Sequence, residues 1–129
     1  MSKEIISTDR APQAIGPYSQ GVRVGSFLFL SGQIPLDPKT GEIQGETSAE
    51  QADVVLDNIG NLLEVAGIGF ADVVKTTIYM ADLRDFAAVN EVYAKRFSVQ
   101  PPARSTVEVS GLPRGVRVEI DAIAHFGDR

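Results

Sequence analysis

The run Phe27-Leu28-Phe29-Leu30 constrains the fold of this chain more than any other. Successive residues of a strand point to opposite sides, so four large apolar residues in a row make both faces of one strand apolar. A sheet built around that strand needs cover on both faces. Whatever helices the chain supplies must therefore be weighed against two surfaces.

The periodicity predicts two helices. Ser48 to Ala66 carries Ala52, Val55, Leu56, Ile59, Leu62, Leu63 and Ala66 at the three-and-four spacing of one buried face. Thr47 or Ser48 is placed to cap its start, and Gly67 to end it. A second helix is expected from an Asp82 cap through Phe97, stopped by Pro101-Pro102. Its apolar stripe reads Leu83, Phe86, Ala87, Asn90, Tyr93, Ala94, Phe97, with one amide in the middle. A buried amide costs stability unless hydrogen-bonded, so Asn90 is expected to hold a specific partner, either a loop carbonyl or a ligand.

The remaining segments read as strands: Lys3 to Ser7, a hairpin of Gly21–Val24 and Phe27–Ser31 across Gly25-Ser26, then Val73–Met80, Arg104–Val109 and Val116–Phe126. The segment from Ala11 to Gln20, with two prolines and a glycine, is a loop, and Asp37–Gly41 is a turn. The order is βββαβαββ, an α+β layout in one domain over residues 1–129. Two helices cover one sheet face, which leaves the other to a second copy in a symmetric oligomer.

Composition narrows the chemistry. The chain has no cysteine, which removes disulfides, thiolate catalysis and thiolate metal sites, and its one histidine, His125, cannot form a metal cluster within one chain. His125 closes an alternating strand and reads as a strand-end hydrogen-bonding group. No apolar run approaches a membrane span and no secretion signal is visible, so the expected location is cytoplasmic. A formal charge of −5 and no basic run with interleaved aromatics argue against nucleic-acid binding. Gly67-Ile68-Gly69 follows a helix and lacks the third glycine of a nucleotide loop.

What remains is Arg104, at the mouth of one β-branched strand, and Glu119, in the middle of another. Arginine presents a planar fork of donors suited to a carboxylate, and a strand-held glutamate can manage a water or a proton. Val118 and Ile120 flank Glu119 on the opposite face, so Glu119 points to the surface awaiting another subunit, with Asp121 beside it on the same face. The pair reads either as a structural ion pair between strands or as a site for a small anion to be hydrolysed.

Over essentially its whole length the chain resembles the reactive intermediate/imine deaminase (RidA/YjgF) family. The resemblance rests on Ala14-Ile15-Gly16-Pro17-Tyr18-Ser19-Gln20, Phe29-Leu30-Ser31-Gly32-Gln33, Asn90-Glu91-Val92-Tyr93, Pro102-Ala103-Arg104-Ser105 and Val118-Glu119-Ile120. It implies a chorismate-mutase-like fold with a mixed sheet and two helices on one face, assembled as a homotrimer with a site in each cleft between subunits. It also implies hydrolysis of 2-imino acids such as 2-iminopropanoate or 2-iminobutanoate to 2-oxo acids and ammonia, the imines being released by pyridoxal-phosphate dehydratases. By the same resemblance Arg104 binds the carboxylate, Glu119 positions water, and Tyr18, Ser31, Gly32, Asn90 and Thr106 line the pocket, with no metal or cofactor. Deaminase-active members usually carry cysteine where this chain has Thr106, a position implied to contribute its backbone carbonyl and a small side chain. The resemblance also carries two alternatives: an endoribonuclease or translation inhibitor, and a non-catalytic carboxylate-binding or chaperone-like trimer.

Overall fold

The chain's architecture was obtained as a computed structural model, which describes residues 2–128. Six strands form one sheet: β1 (Glu4–Ile6), β2 (Gly21–Val24), β3 (Phe27–Gln33), β4 (Val73–Met80), β5 (Ala103–Glu108) and β6 (Val118–His125). Their spatial order is β1-β2-β3-β6-β4-β5. Every pair is antiparallel except β4 with β5, so the sheet is mixed, as expected. That parallel pair requires a crossover, which the second helix supplies.

Helix α1 (Ser48–Val65) starts in a capping box: Thr47 Oγ1 accepts from the Glu50 amide, and Glu50 reaches back to the Thr47 amide. It ends where Gly67 turns to φ +85° and the Ile68 amide bonds the Leu63 carbonyl. Its face of Ala52, Val55, Leu56, Ile59, Leu62 and Leu63 is buried against Leu28, Leu30, Ile78, Ile120, Ala122 and Ala124 of the sheet. None of the helices among the described residues is long and apolar enough to cross a membrane.

Helix α2 (Phe86–Ala94) is shorter than the periodicity predicts. The segment begins as a 3-10 turn, Leu83–Asp85, in which Asp82 accepts from the Arg84 amide and Glu108 accepts from the Leu83 amide. A 3-10 turn advances by three residues per turn, so a stripe counted at 3.6 from Asp82 falls out of phase. The buried residues are Val89, Tyr93 and Phe97, whereas Leu83, Ala87 and Ala94 are exposed and Asn90 lies half-buried at the margin. The last strand also begins later than expected, because Pro113–Gly115 forms another 3-10 turn ahead of Val116.

Both helices lie on one sheet face. The other face carries Phe27 and Phe29, at 43% and 45% exposure, with exposed Ile5 and Val107 and half-buried Ile123 and His125. The double-sided apolar strand is thus covered on one side only within the single chain.

Candidate functional site

On the open face, β3 and β6 fall out of step. Leu30 pairs with Ala122 and Gln33 with Ile120, so Ser31 and Gly32 together stand opposite Asp121. This bulge leaves a space that Glu119 fills: a Cβ on Gly32 would overlap its Oε2 and come within 2.9 Å of its carboxyl carbon. Ser31 Oγ donates to the Ser19 carbonyl at 2.6 Å and the Ser31 amide to the Gln20 carbonyl at 2.9 Å, which ties the Tyr18 loop to the bulge. The Ile15 amide donates to Tyr18 Oη at 3.4 Å.

Beside Glu119 lie Tyr79, its register partner on β4, and Asp121. Tyr79 Oη donates to Asp121 Oδ2 at 3.0 Å. Burial pushes the Glu119 carboxyl above its ordinary range, and the neighbouring Asp121 charge adds to the effect. Burial likewise raises the Tyr79 phenol, with the Asp121 hydrogen bond next in weight.

Arg104 sits elsewhere. It projects from β5 on the helix face, where its Nη1 donates to Asn90 Oδ1 at 2.8 Å. The guanidinium carbon stands 4.9 Å from the Tyr93 ring centroid and 5.4 Å from that of Phe86. Tyr93 is itself fixed by a 2.6 Å hydrogen bond to Thr76 on β4. Asn90, Tyr93, Phe97, Pro101, Pro102 and Arg104 line a cleft of about 390 Å³. None of the ion pairs among the described residues involves Arg104, so its guanidinium is oriented without a carboxylate. A wider hollow of about 610 Å³ beside Tyr18 is lined by no Lys or Arg and does not match an anion.

The predicted residues therefore fall into two groups. Gly32 and Glu119 meet directly, with Ser31 in the same bulge and Tyr18 in the loop tied to it. Asn90 and Arg104 meet on the other side of the sheet, and Thr106, two residues on from Arg104, shares its face. The structural arginine–glutamate ion pair, one of the two readings the residues left open, does not form within the chain. Asn90 has the specific partner its position required, and that partner is a side chain rather than a loop carbonyl. Sequence reading missed the aromatic platform under Arg104, although Phe86, Asn90 and Tyr93 recur at four and three residues, the spacing of one helix face. Thr106 Oγ1 is buried with no hydrogen-bond partner among the described residues. His125 ends its strand as expected, accepting from the Gly127 amide at 2.9 Å.

Fold and site define a two-layer α+β protein of the YjgF/L-PSP type, with a preset arginine on the helix side and a glutamate in a bulge on the open side. The chain belongs to the family described as Endoribonuclease L-PSP, which includes the RidA/YjgF proteins; the family model matches residues 8–126. A RutC family protein of Saccharolobus solfataricus is 57% identical over 95% of this chain and 97% of its own. The 2-iminobutanoate/2-iminopropanoate deaminase of Homo sapiens is 47% identical over 97% of this chain and 91% of its own. Among solved structures, Escherichia coli TdcF with bound serine superposes at a TM-score of 0.90 with 47% identity, covering 95% of this chain and 98% of that one.

Proposed function

We propose that this protein hydrolyses 2-imino acids to 2-oxo acids and ammonia. The observation that carries the reading is Arg104: a guanidinium held in place by Asn90 and two aromatic rings, at the rim of a cleft, with no carboxylate of the described residues upon it. A substrate carboxylate supplies the missing partner, and a hydrogen bond to a charged group contributes about 1.5–3 kcal/mol. Glu119, its carboxyl raised by burial, takes a proton from a water that attacks the C=N carbon. Glu119 passes that proton to the nitrogen, giving the carbinolamine; it then takes the hydroxyl proton and returns it to the nitrogen as the C–N bond breaks and the C=O forms, releasing ammonia. Tyr18, Ser31, Gly32 and Thr106 complete the pocket walls. Relatives named as imine deaminases, and the serine-bound TdcF structure, support a small amino-acid-like substrate.

Arg104 and Glu119 occupy opposite faces of the sheet, so the working site requires two copies, one giving Arg104 and its neighbour giving Glu119. The exposed Phe27 and Phe29 face supplies the surface for such packing, in a homotrimer of cytoplasmic setting. The test couples a pyridoxal-phosphate dehydratase to this protein and follows 2-oxo acid formation. Acceleration over free-solution hydrolysis, lost in Arg104→Ala, is the expected result; no acceleration by the wild type refutes the reading. Mixing Arg104→Ala with Glu119→Gln subunits should recover about a quarter of wild-type activity, since random assembly pairs an intact arginine with an intact glutamate at that fraction of interfaces. The mixture staying inactive would exclude a shared site.

A further inference from the structure

Glu119 does not face the open side alone. Tyr79 lies directly across from it on β4, Asp121 lies two residues along on the same face, and the two are joined by a hydrogen bond of 3.0 Å. The bulge at Ser31-Gly32, opposite Asp121, closes the third side without contributing a charge. Two other ionisable groups among the described residues share this face of the strands, and Lys75 is the nearer, since Thr77, which its Nζ contacts, stands directly across from Asp121. Lys75 donates to the Thr76 carbonyl and to Thr77 Oγ1, and His125 stands edge-on to Phe27 at the far end of β6. No cation among the described residues pairs with Asp121. Its hydrogen-bond partner among the described residues is the phenol, so its negative charge is oriented but carries no ion pair there.

We propose that Asp121 and Tyr79 are positioning residues for Glu119: the fixed charge of Asp121 strengthens Glu119 as a proton acceptor, and Tyr79 keeps Asp121 from sharing Glu119's proton. This rests on the reading that Glu119 handles water. The physical argument is one of geometry. Two carboxylates on one strand face stand roughly two residue rises apart, close enough for their charges to couple in a partly dry site. Left free, such a pair bridges through one proton and titrates as a unit. The Tyr79 hydroxyl occupies one Asp121 oxygen with a donor of its own, which turns that carboxylate toward β4. Raised burial of Glu119 and the like charge of Asp121 act in the same direction.

The test reads Glu119 directly. In uniformly ¹³C-labelled protein in its native assembly, the Glu119 carboxyl signal is assigned by its loss in Glu119→Gln and followed with pH. Asp121→Asn should lower the Glu119 midpoint by about one pH unit, the size expected for one like charge at this separation. Asp121→Glu retains the charge and should stay near the wild-type midpoint. Tyr79→Phe should move the midpoint the opposite way, upward, because Asp121 is then free to share the proton. A purely structural role for either residue moves Tm without these signed displacements. An unmoved midpoint in Asp121→Asn overturns the proposal, and so does a downward movement in Tyr79→Phe. The acid limb of kcat/KM for imine hydrolysis should follow the same order. If the midpoints move as stated while the wild type hydrolyses no imine, the coupling stands and the deaminase reading fails.

Discussion

Gly32 offers the sharpest separation of fold from function in this protein. Its backbone is not in the left-handed region, so alanine fits the local conformation, yet the added Cβ would overlap the Glu119 carboxylate, 2.9 Å from its carboxyl carbon. Ordinary carbon–carbon contact lies near 3.5–4.0 Å, so the carboxyl group of Gly32→Ala must retreat by about 1 Å. The obstruction is the far end of a flexible side chain rather than backbone, which makes the retreat cheap in stability. Gly→Ala at a compatible position also contributes about 0.4–1 kcal/mol through the unfolded chain. The two effects nearly offset, and Tm should stay within a few degrees of wild type.

Catalysis should not be spared. A displacement of about 1 Å in a group that must meet a reacting water costs on the order of 100-fold, or about 2.7 kcal/mol in the barrier. The assay is kcat/KM for imine hydrolysis beside a calorimetric Tm. Glu119→Gln alone should fall at least as far, and the double variant Gly32→Ala/Glu119→Gln should be no worse than Glu119→Gln, because both changes remove one function. Full activity in Gly32→Ala would show that the position of Glu119 does not matter to the reaction. An additive double variant would show that Gly32 acts through something other than Glu119.

Three further outcomes follow from the same geometry. Thr106→Val removes a buried hydroxyl that has no partner, so it should raise stability by about 1 kcal/mol and leave kcat/KM within a few-fold; a large activity loss would assign the side chain a role beyond shaping the pocket. Thr76→Val leaves the buried Tyr93 hydroxyl unpaired at a cost of about 1–3 kcal/mol, whereas adding Tyr93→Phe should recover most of it, as urea unfolding would show. The Asp82 carboxyl is held down to about 2 chiefly by the Arg84 side-chain hydrogen bond, then by the Arg84 amide. Its folded-state value lies below its ordinary 3.8, so its contribution is present above that value and is lost as pH falls toward about 2. The Tm difference between wild type and Asp82→Asn should accordingly be largest above pH 5 and close by about pH 2; a difference constant over that range would remove the charge from the explanation.

The parts of this protein legible in the sequence are those set by local rules. The α1 stripe, its Thr47–Glu50 box and its Gly67 stop depend on spacing within one segment, and each appears where the residues put it. The β2–β3 hairpin across Gly25-Ser26 is of the same kind. The second helix was harder, because a 3-10 start is selected by tertiary contacts such as Glu108 accepting from the Leu83 amide, which no local pattern announces. The bulge at Ser31-Gly32 was hidden for a related reason. Strand patterning predicts alternation, and an inserted residue shows only when the partner strand's register is known.

The relation between Arg104 and Glu119 shows the limit most plainly. Type and strand context single out each residue, and their opposite charges suggest pairing them across one site. Parity forbids it within one chain. Ile78 on β4 pairs with Thr106 on one side and with Ile120 on the other, so those three residues share a sheet face. Arg104, two residues from Thr106, must share it too, and Glu119, one residue from Ile120, must point the other way. No choice of rotamer carries either side chain through a sheet whose intervening strand is β4. Had the register slipped by one residue on either side, the two side chains would have faced the same side of the sheet, where their opposite charges attract instead of serving a substrate. The same parity that leaves each group without the other within the chain keeps Arg104 open to a carboxylate and Glu119 open to a proton. It also makes a second copy, docked on the Phe27 and Phe29 face, a requirement of the proposed chemistry as well as of the exposed apolar surface.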